Sequence, residues 1–362
     1  MSAGCGNVEG KQESKLRFPR YSVVFLRTAD TARRVRRAMG TARWLVLLLL
    51  RCARVHGLHV SSYQLLRGDA VPTAADRQLR TECEQALRSD SSSRDVQQLA
   101  LGALAARPLA VEVAHDDAGE QGRRLRRFWL PRGLSASVAE LEVEDGSLGH
   151  CVWEASVALS IFLATDGQES VRGRRVLELG AGCGLAGITA SLAGAGFVTL
   201  SERAEEPPSP WEVEGSPPTP LLLLDNLRAN ARRNRPADQP DAAPAPSCDV
   251  HVVGLEWDEL GAEPRITPHA VVLGSELIYY EQAAPALAAA IIQLTAAGGV
   301  AYLVSRATRR LGLEDLLASL AEAGALQREE WSLLRSDDAG EESRTELLCV
   351  TFRKPGTLLD AE

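Results

Sequence analysis

A short apolar strand that breaks into a glycine turn occupies residues 176–187, which read VLELGAGCGLAG. Gly180, Gly182 and Gly184 allow the backbone to turn sharply and to approach a ligand closely, and the N-terminus of the helix that follows offers unpaired N–H groups. The spacing Gly182-x-Gly184-x-x-Gly187 is also that of the dinucleotide fingerprint. The segment therefore predicts a site for a nucleotide-like cofactor, with a dinucleotide as one candidate.

Acidic and aromatic residues follow the next two predicted strands. Glu202 ends a strand about 20 residues after the glycine turn, where a carboxylate can accept hydrogen bonds from ribose hydroxyls. Glu256 and Trp257 end the third strand side by side, and they suit the edge and the face of a base respectively. A lone tryptophan is more often a core residue, so its place at a strand end is what favours a role in the cofactor pocket.

Polar residues also follow the fourth predicted strand, in the sequence VVLGSELIYYE. Residues beyond the carboxyl ends of parallel strands face the active crevice, so Ser275, Glu276, Tyr279 and Tyr280 are expected where a substrate would meet the cofactor. The alternative is that Ser275 caps a helix and the tyrosines lie on the surface. Upstream, Trp153 begins an amphipathic helix, where its bulk alone indicates a core anchor.

The elements that position these residues alternate between strand and helix from residue 175 onward, which predicts an α/β fold with a parallel sheet covered on both faces. The predicted strands are Arg175–Leu179, Phe197–Ser201, Val250–Leu255, Ala270–Leu273, Val300–Val304, Leu326–Trp331 and Leu347–Thr351. The predicted helices are Leu185–Ala193, Leu221–Asn234, Glu281–Thr295 and Glu314–Ala323. A β-hairpin from Arg126 to Glu144 predicts a small β element in front of this domain.

The chain is expected to divide at residue 122. Residues 1–122 predict a basic and helical accessory region, partly disordered, with a helix at 81–104. Residues 123–355 form the predicted catalytic domain, in which the proline-rich stretches 205–220 and 235–247 predict surface insertions, and 356–362 form a tail. Residues 15–54 hold eleven basic residues and one acid, so a mitochondrial presequence is an alternative interpretation of this basic arm.

The composition of the chain limits which binding partners and which cellular compartment are expected. With 40 Lys and Arg against 48 Asp and Glu, the net charge of −8 gives no general reason to bind nucleic acid. The apolar run 44–50 is far shorter than the ~20 residues of a membrane-spanning helix, so no membrane partner is expected. Seven scattered cysteines without metal-binding spacing indicate reduced thiols and no metal site. We expect a cytoplasmic protein, with the nucleus as an alternative.

Together these motifs resemble family 16 of the seven-β-strand protein-lysine methyltransferases, in the class I superfamily that uses S-adenosylmethionine (SAM), over residues 129–355. The resemblance rests on Val152-Trp153 before a Leu-rich helix, on motif I from Glu178 to Gly184, on the acid Glu202, on Asn226-x-x-x-Asn230, on Glu256-Trp257 and on Glu276-x-x-Tyr279. It implies a Rossmann-like, doubly wound, seven-stranded sheet. It also implies SAM as cofactor, a protein substrate and no metal.

The resemblance carries over to individual residues. The implied cofactor-binding residues are Trp153, Glu178, Gly180, Ala181, Gly182, Gly184, Glu202, Glu256, Trp257 and Ser275, and the implied catalytic residues are Glu276 and Tyr279. Methyl transfer to a lysine ε-amine is the expected reaction.

Three alternatives remain. Glu276 stands where most of the family has Asp, and the Ser275-Glu276 pair also resembles a histidine-methylating relative, so protein-histidine methylation is one alternative. A binding module that retains the fold without turnover and an NAD(P)-dependent oxidoreductase are the others. A nucleic-acid methyltransferase would be expected to carry Asn/Asp-Pro-Pro-Tyr after the fourth strand, where this chain has Ser-Glu-Leu-Ile-Tyr.

Overall fold

The structure is a computed structural model of the 362-residue chain. It describes residues 59–67, 109–115, 123–141, 148–203, 220–234, 248–260, 266–308, 311–337 and 341–356. All of these residues belong to one compact unit, Thr41–Glu362. The predicted presequence at 15–54, the predicted helix at 81–104 and nearly all of the two predicted insertions lie outside the described residues.

One sheet of eleven strands organises the described residues. In chain order the strands are β1 (His59–Arg67), β2 (Leu109–His115), β3 (Arg123–Trp129), β4 (Ser135–Leu141), β5 (Arg175–Leu179), β6 (Phe197–Glu202), β7 (Asp249–Gly254), β8 (His269–Ser275), β9 (Thr295–Arg306), β10 (Ala325–Asp337) and β11 (Glu342–Arg353). Their order across the sheet is β4-β3-β2-β1-β10-β11-β9-β8-β5-β6-β7.

The strands from β5 onward form the predicted α/β arrangement. β7, β6, β5, β8 and β9 lie side by side and pair in parallel. β11 then pairs antiparallel with both β9 and β10, which is the late antiparallel hairpin that the sequence predicted. The predicted α/β fold class, with a parallel sheet that ends in an antiparallel hairpin, is therefore confirmed.

Helices cover both faces of this parallel part. They are α1 (Glu154–Leu163), α2 (Gln168–Val171), α3 (Leu185–Leu192), α4 (Pro220–Arg233), α5 (Ala284–Leu294) and α6 (Leu313–Ala323). Successive residues of a strand point to opposite faces: Val176 packs in the cluster that includes residues of α1, α3 and α4, while Leu177 packs in the cluster that includes residues of α5 and α6. Buried apolar residues on both faces explain the near-continuous apolar runs of these strands. Within the described ranges, no helix has both the length and the apolarity to cross a membrane.

The sheet is larger than the seven strands predicted. β1, β2, β3 and β4 pair antiparallel in succession, and β1 pairs antiparallel with β10, so these four strands continue the same sheet. The predicted small β element, β3 with β4, is thus part of the main sheet. The domain division at residue 122 stays a prediction, but two strands that precede it, β1 and β2, pair within the sheet.

Candidate functional site

The glycine turn lies at the carboxyl end of β5 and leads into α3. Gly180, Gly182 and Gly184 have φ angles of +54°, +52° and +83°, in the left-handed region that favours glycine. A Cβ at Gly184 would also lie 2.6 Å from Leu227 Cδ1. Gly184 is the N-cap of α3 and has no side chain with which to cap it. The turn therefore needs glycine and leads directly into the positive end of a helix.

Backbone and side-chain hydrogen bonds hold the turn. Ala181 N donates to Ser201 O at 2.9 Å, and Gly184 N donates to Ala181 O at 2.7 Å. Gly182 N donates to Glu202 Oε2 at 2.7 Å. The predicted ribose-binding acid thus lies directly against the turn, at the carboxyl end of β6.

Burial determines the protonation behaviour of Glu202. The desolvation of this buried carboxyl raises its pKa, and hydrogen bonds from the backbone N–H groups of Arg203 and Gly182 oppose that rise. The second oxygen, Oε1, accepts from Arg203 N at 2.9 Å. Glu202 therefore holds the turn through one oxygen and its own strand end through the other.

Glu178 is buried inside β5 and contacts the helix rather than the turn. Its Oε2 accepts a hydrogen bond from Gly187 N in α3 at 2.8 Å. Its Oε1 is buried and has no partner among the described residues. Burial raises the pKa of Glu178 to about 8, opposed by the hydrogen bond from Gly187. A carboxyl with one unpaired buried oxygen is the kind of group that a ligand or water would complete.

The predicted base-binding pair lies beside the turn. A Cβ on Gly180 would be 3.6 Å from Trp257 Cζ2, so the half-buried indole faces the turn. Glu256 Oε2 forms an ion pair with Arg203 Nε at 3.3 Å. Arg203 was not among the predicted site residues, although its position directly after Glu202 at a strand end is a signal that could have indicated it.

Glu276 occupies the carboxyl end of β8 in an unusual backbone conformation. Its φ of +54° lies in the left-handed region, which for a residue with a side chain is a strained conformation found mostly at functional sites. The carboxylate is buried, and Oε1 accepts a hydrogen bond from Arg306 N at 3.0 Å. Glu276 N in turn donates to Val304 O at 2.9 Å.

The neighbours of Glu276 differ in exposure. Ser275 is the half-buried last residue of β8, and the N-cap of α5 is Ala283, so Ser275 does not cap that helix. Tyr279 is half-buried, whereas Tyr280 is 49 % exposed. Leu277 packs against the turn, since a Cβ on Gly180 would lie 2.8 Å from its Cδ2. The segment after β8 thus reaches the glycine turn.

An arginine connects this segment to α1. Arg306, the last residue of β9, pairs through Nη2 with Glu154 Oε2 at 3.1 Å, while its backbone N–H holds Glu276. Trp153 is the N-cap of α1 and is half-buried, not the fully buried core anchor that its bulk indicated. Neither Arg306 nor Glu154 was predicted. A basic residue at the end of a strand whose neighbour ends in Glu276 is the signal that could have indicated Arg306.

These contacts bring the predicted residues to one edge of the sheet. The glycine turn is flanked by Glu202 and by Trp257, and Arg306 links Glu276 to α1 beside Trp153. Glu178 belongs to the interior of the same region, between β5 and α3. An edge with a helix N-terminus, carboxylates and aromatic side chains can bind a nucleoside-containing ligand and a second, cationic group.

Part of this region is similar to a known protein family. Residues 136–208, from within β4 to just beyond β6, match the family model described as lysine methyltransferase. Solved structures with a similar chain path include a methyltransferase from Pyrococcus furiosus (TM-score 0.35, 15 % identity, 55 % of this chain and 83 % of that chain) and the ribosomal protein L11 methylase from Lactobacillus delbrueckii subsp. bulgaricus (TM-score 0.32, 16 % identity, 55 % and 79 %). Because these scores are low, the fold assignment rests on the strand order.

Curated relatives with similar sequences are protein methyltransferases. Protein N-lysine methyltransferase METTL21A from Danio rerio is 35 % identical over 156 residues, which cover 43 % of this chain and 59 % of the relative. EEF1A lysine methyltransferase 3 from Mus musculus is 27 % identical over 171 residues, 47 % of this chain and 60 % of the relative. Histone-arginine methyltransferase METTL23 from Xenopus laevis is 30 % identical over 139 residues, 38 % and 48 %.

The matches have a limited extent. The chain spans about 60 % of the length of the first two of these relatives, and less than half of its own residues take part. The family match covers Trp153, the glycine turn and Glu202, whereas the predicted motifs at 256–257 and 276–279 lie beyond it. Residues 136–208 are therefore similar to the lysine methyltransferase family, and the predicted resemblance to the family 16 protein-lysine methyltransferases is confirmed over this part of the chain.

Proposed function

We propose that this chain is a SAM-dependent methyltransferase that transfers methyl groups to a lysine ε-amine of a partner protein. The observation that carries the proposal is the hydrogen bond from Gly182 N to Glu202, which joins a glycine turn to a strand-end acid in front of the N-terminus of α3. The bond lies within the part of the chain that matches the lysine methyltransferase family.

The residues at this edge fit the chemistry of SAM. Glu202 supplies a carboxylate for ribose hydroxyls, and Trp257 with Glu256 supplies a face and an edge for adenine. Gly180, between Leu277 and Trp257, keeps the surface free of a Cβ that would meet Leu277. Ala181, Gly182 and Gly184 supply the turn, and Trp153 and Ser275 are the remaining proposed cofactor-binding residues. The unpaired oxygen of Glu178 is complemented by a water or by a cationic group of the ligand.

SAM supplies a methyl group already activated by a sulfonium, so the work of the protein is alignment and desolvation. A lysine amine has an unperturbed pKa near ~10.4 and must react in its neutral form. The aromatic ring of Tyr279 forms an apolar wall that disfavours the ammonium, and the buried Glu276 accepts a hydrogen bond from the amine and orients its lone pair. The backbone N–H of Arg306 fixes the first oxygen of Glu276 in place.

Lysine is the favoured acceptor because the matched family and the first relatives are described as lysine methyltransferases. Histidine is the second candidate, since the Ser275-Glu276 pair departs from the usual Asp of the family. The chain also resembles a protein described as a histone-arginine methyltransferase, so the test must identify the acceptor chemically. The protein partner and the cytoplasmic location are part of the proposal.

Two measurements test the proposal. Isothermal titration with S-adenosylhomocysteine measures cofactor binding, with NADH as the competing ligand of the oxidoreductase alternative. We expect binding of S-adenosylhomocysteine alone, lost in Gly182→Arg. Binding of NADH instead, or undiminished binding in Gly182→Arg, would overturn the cofactor assignment.

The second measurement is mass spectrometry of extract from cells that lack the protein, after incubation with the full chain and isotope-labelled SAM. Glu276→Ala serves as the inactive variant, and Glu314→Ala, which changes an exposed glutamate on α6, is the matched control. Labelled lysine in a protein, absent with Glu276→Ala and retained with the control, supports the proposal. Labelled histidine supports the alternative, and label in no protein supports a binding module.

A further inference from the structure

Three asparagines form hydrogen bonds to the edge strand β4. Asn226 and Asn230 lie on α4 and Asn234 directly follows it; the three recur every four residues, and they are 0 %, 0 % and 4 % exposed. Among the described strands, β4 is the last on its side of the sheet and pairs with β3 alone. We call these three residues the asparagine ladder.

The ladder pairs with alternate residues of β4 as a neighbouring strand would. Asn230 Oδ1 accepts from Ala139 N at 2.8 Å, and Asn230 Nδ2 donates to Ala139 O at 3.0 Å. Asn234 makes the same two bonds to Ser137, both at 2.7 Å. Asn226 Nδ2 donates to Ala139 O at 2.8 Å. Burying these strand-edge groups without partners would be costly, so the ladder accounts for their burial.

Asn230 differs from the other two because it also contacts the glycine turn. Its Nδ2 donates a second hydrogen bond, to Cys183 O, at 3.0 Å. Cys183 lies between Gly182 and Gly184, whose φ angles are both positive. The bond fixes the peptide plane that joins Cys183 to Gly184, and so the direction from which α3 starts.

The turn gains order from this bond. Glycine loses more conformational freedom on ordering than any other residue, so a turn with glycines at every second position is costly to order when the ligand binds. A turn already held in its bound shape avoids that cost and binds more tightly. Glu202 holds the turn at Gly182 from one side, and Asn230 holds it at Cys183 from the other.

We infer that Asn230 is a positioning residue of the cofactor site. It connects the glycine turn to the edge strand β4 by hydrogen bonds, and this holds the turn in place and raises cofactor affinity. The inference rests on the proposed function, since it assumes that the turn binds SAM. It also gives a role to β4, which extends the sheet beyond the parallel part.

The experiment compares alanine variants along the ladder. Titration of the full chain with S-adenosylhomocysteine gives the dissociation constant, and thermal unfolding gives stability. Asn226→Ala and Asn234→Ala are the matched controls, because each removes a bond to β4 but none to the turn. We expect all three variants to lower the melting temperature, and only Asn230→Ala to raise the dissociation constant about tenfold, the effect of one lost hydrogen bond of ~1.4 kcal/mol.

Hydrogen exchange without ligand gives a readout that does not depend on binding. We expect Asn230→Ala to speed exchange of the amides in residues 180–187, and the two control variants to leave them unchanged. If Asn230→Ala does not fold, Asn230→Asp is compared with Asn234→Asp, since Asp keeps the oxygen that accepts from β4.

Equal affinity and equal exchange in all three folded variants would overturn the inference and leave the proposed function intact, because the unsubstituted chain would still bind. No binding of S-adenosylhomocysteine by the unsubstituted chain would overturn both.

Discussion

A buried ion pair joins the added strands to the segment in front of α1, and its removal should cost a large fraction of the stability. Arg126 on β3 pairs through Nη1 with Glu140 Oε1 on β4, with side chains only 11 % and 9 % exposed. The same carboxylate oxygen accepts from Val152 N at 2.7 Å, one residue before Trp153. The guanidinium also lies 5.2 Å from the centre of the Phe128 ring.

The expected magnitudes follow from this burial. Arg126→Met leaves Glu140 as a buried charge with one backbone partner, and breaking one side of a buried pair costs about 3–5 kcal/mol of unfolding free energy. The loss of the cation–π contact with Phe128 adds ~0.5–1 kcal/mol. Arg126→Met with Glu140→Gln removes both charges, so the double variant should cost several kcal/mol less than the two single changes added together.

Urea unfolding followed by tryptophan fluorescence measures these free energies. The matched control is Arg172→Met, which removes the arginine of an exposed pair with Glu169, whose side chains are 57 % and 76 % exposed. An exposed pair contributes about 0–1 kcal/mol, so the control should unfold almost as the unsubstituted chain does. A cost below about 1 kcal/mol for Arg126→Met, or single costs that add without coupling, would refute the argument.

Three further predictions concern the glycine turn and two buried titratable groups. Gly184→Ala should lower the unfolding free energy by about 1–3 kcal/mol in urea titration, because a Cβ there combines a φ of +83° with a 2.6 Å contact to Leu227, and an unchanged midpoint would contradict this. Burial raises the pKa of Glu178 to about 8, so the folded state holds a proton that the unfolded state releases above pH ~4.5. The free energy of unfolding should therefore fall as pH rises from 4.5 to 8. Glu178→Gln should remove that loss in a pH series of unfolding midpoints. Burial lowers the pKa of His269 to about 4, and the charge of Arg175 adds to the effect. The free energy of unfolding should therefore fall as pH falls from 6.5 to 4, because the unfolded state binds a proton first. His269→Gln should unfold with a weaker dependence on pH in that range.

Local sequence signals were sufficient for the parallel part of the fold. β5 has the predicted bounds, Arg175–Leu179, and α3 ends one residue before the predicted Ala193. In both elements an apolar run is bounded by glycine. The residues that indicate the element and the residue that indicates its end are therefore close together in the chain. Such signals do not depend on partners elsewhere in the chain.

The extended sheet could not be predicted in this way. The pairing of β1 with β10 matches Leu65 with Leu333, and only the folded chain brings these residues together. Strand pairing over long sequence separations depends on register and burial that a single sequence does not express. The prediction of seven strands therefore counted the strands of the parallel part and its hairpin. It placed β3 and β4 in a separate small β element, and it did not include β1 and β2.

The same distinction between local and long-range signals separates the site residues that were predicted from those that were missed. Motif spacing indicated Glu202, the glycine turn and Glu276, all of which lie at the carboxyl edge of the parallel strands. Arg203 and Arg306 were missed because charged residues at strand ends are common, and their contacts with Glu256 and Glu154 arise only from tertiary structure.

The pairing of β1 with β10 also sets an order of events during synthesis. Arg67 in β1 and Glu329 in β10 form a hydrogen-bonded ion pair across 262 residues of chain. At roughly 5–20 residues per second, the ribosome needs on the order of 10–50 s to make that intervening chain. For that interval β1, with Tyr63 and Leu65 destined for the core, has no β10 edge to join. Until β10 emerges, the nascent chain must therefore keep the apolar strand β1 from aggregating without its partner strand.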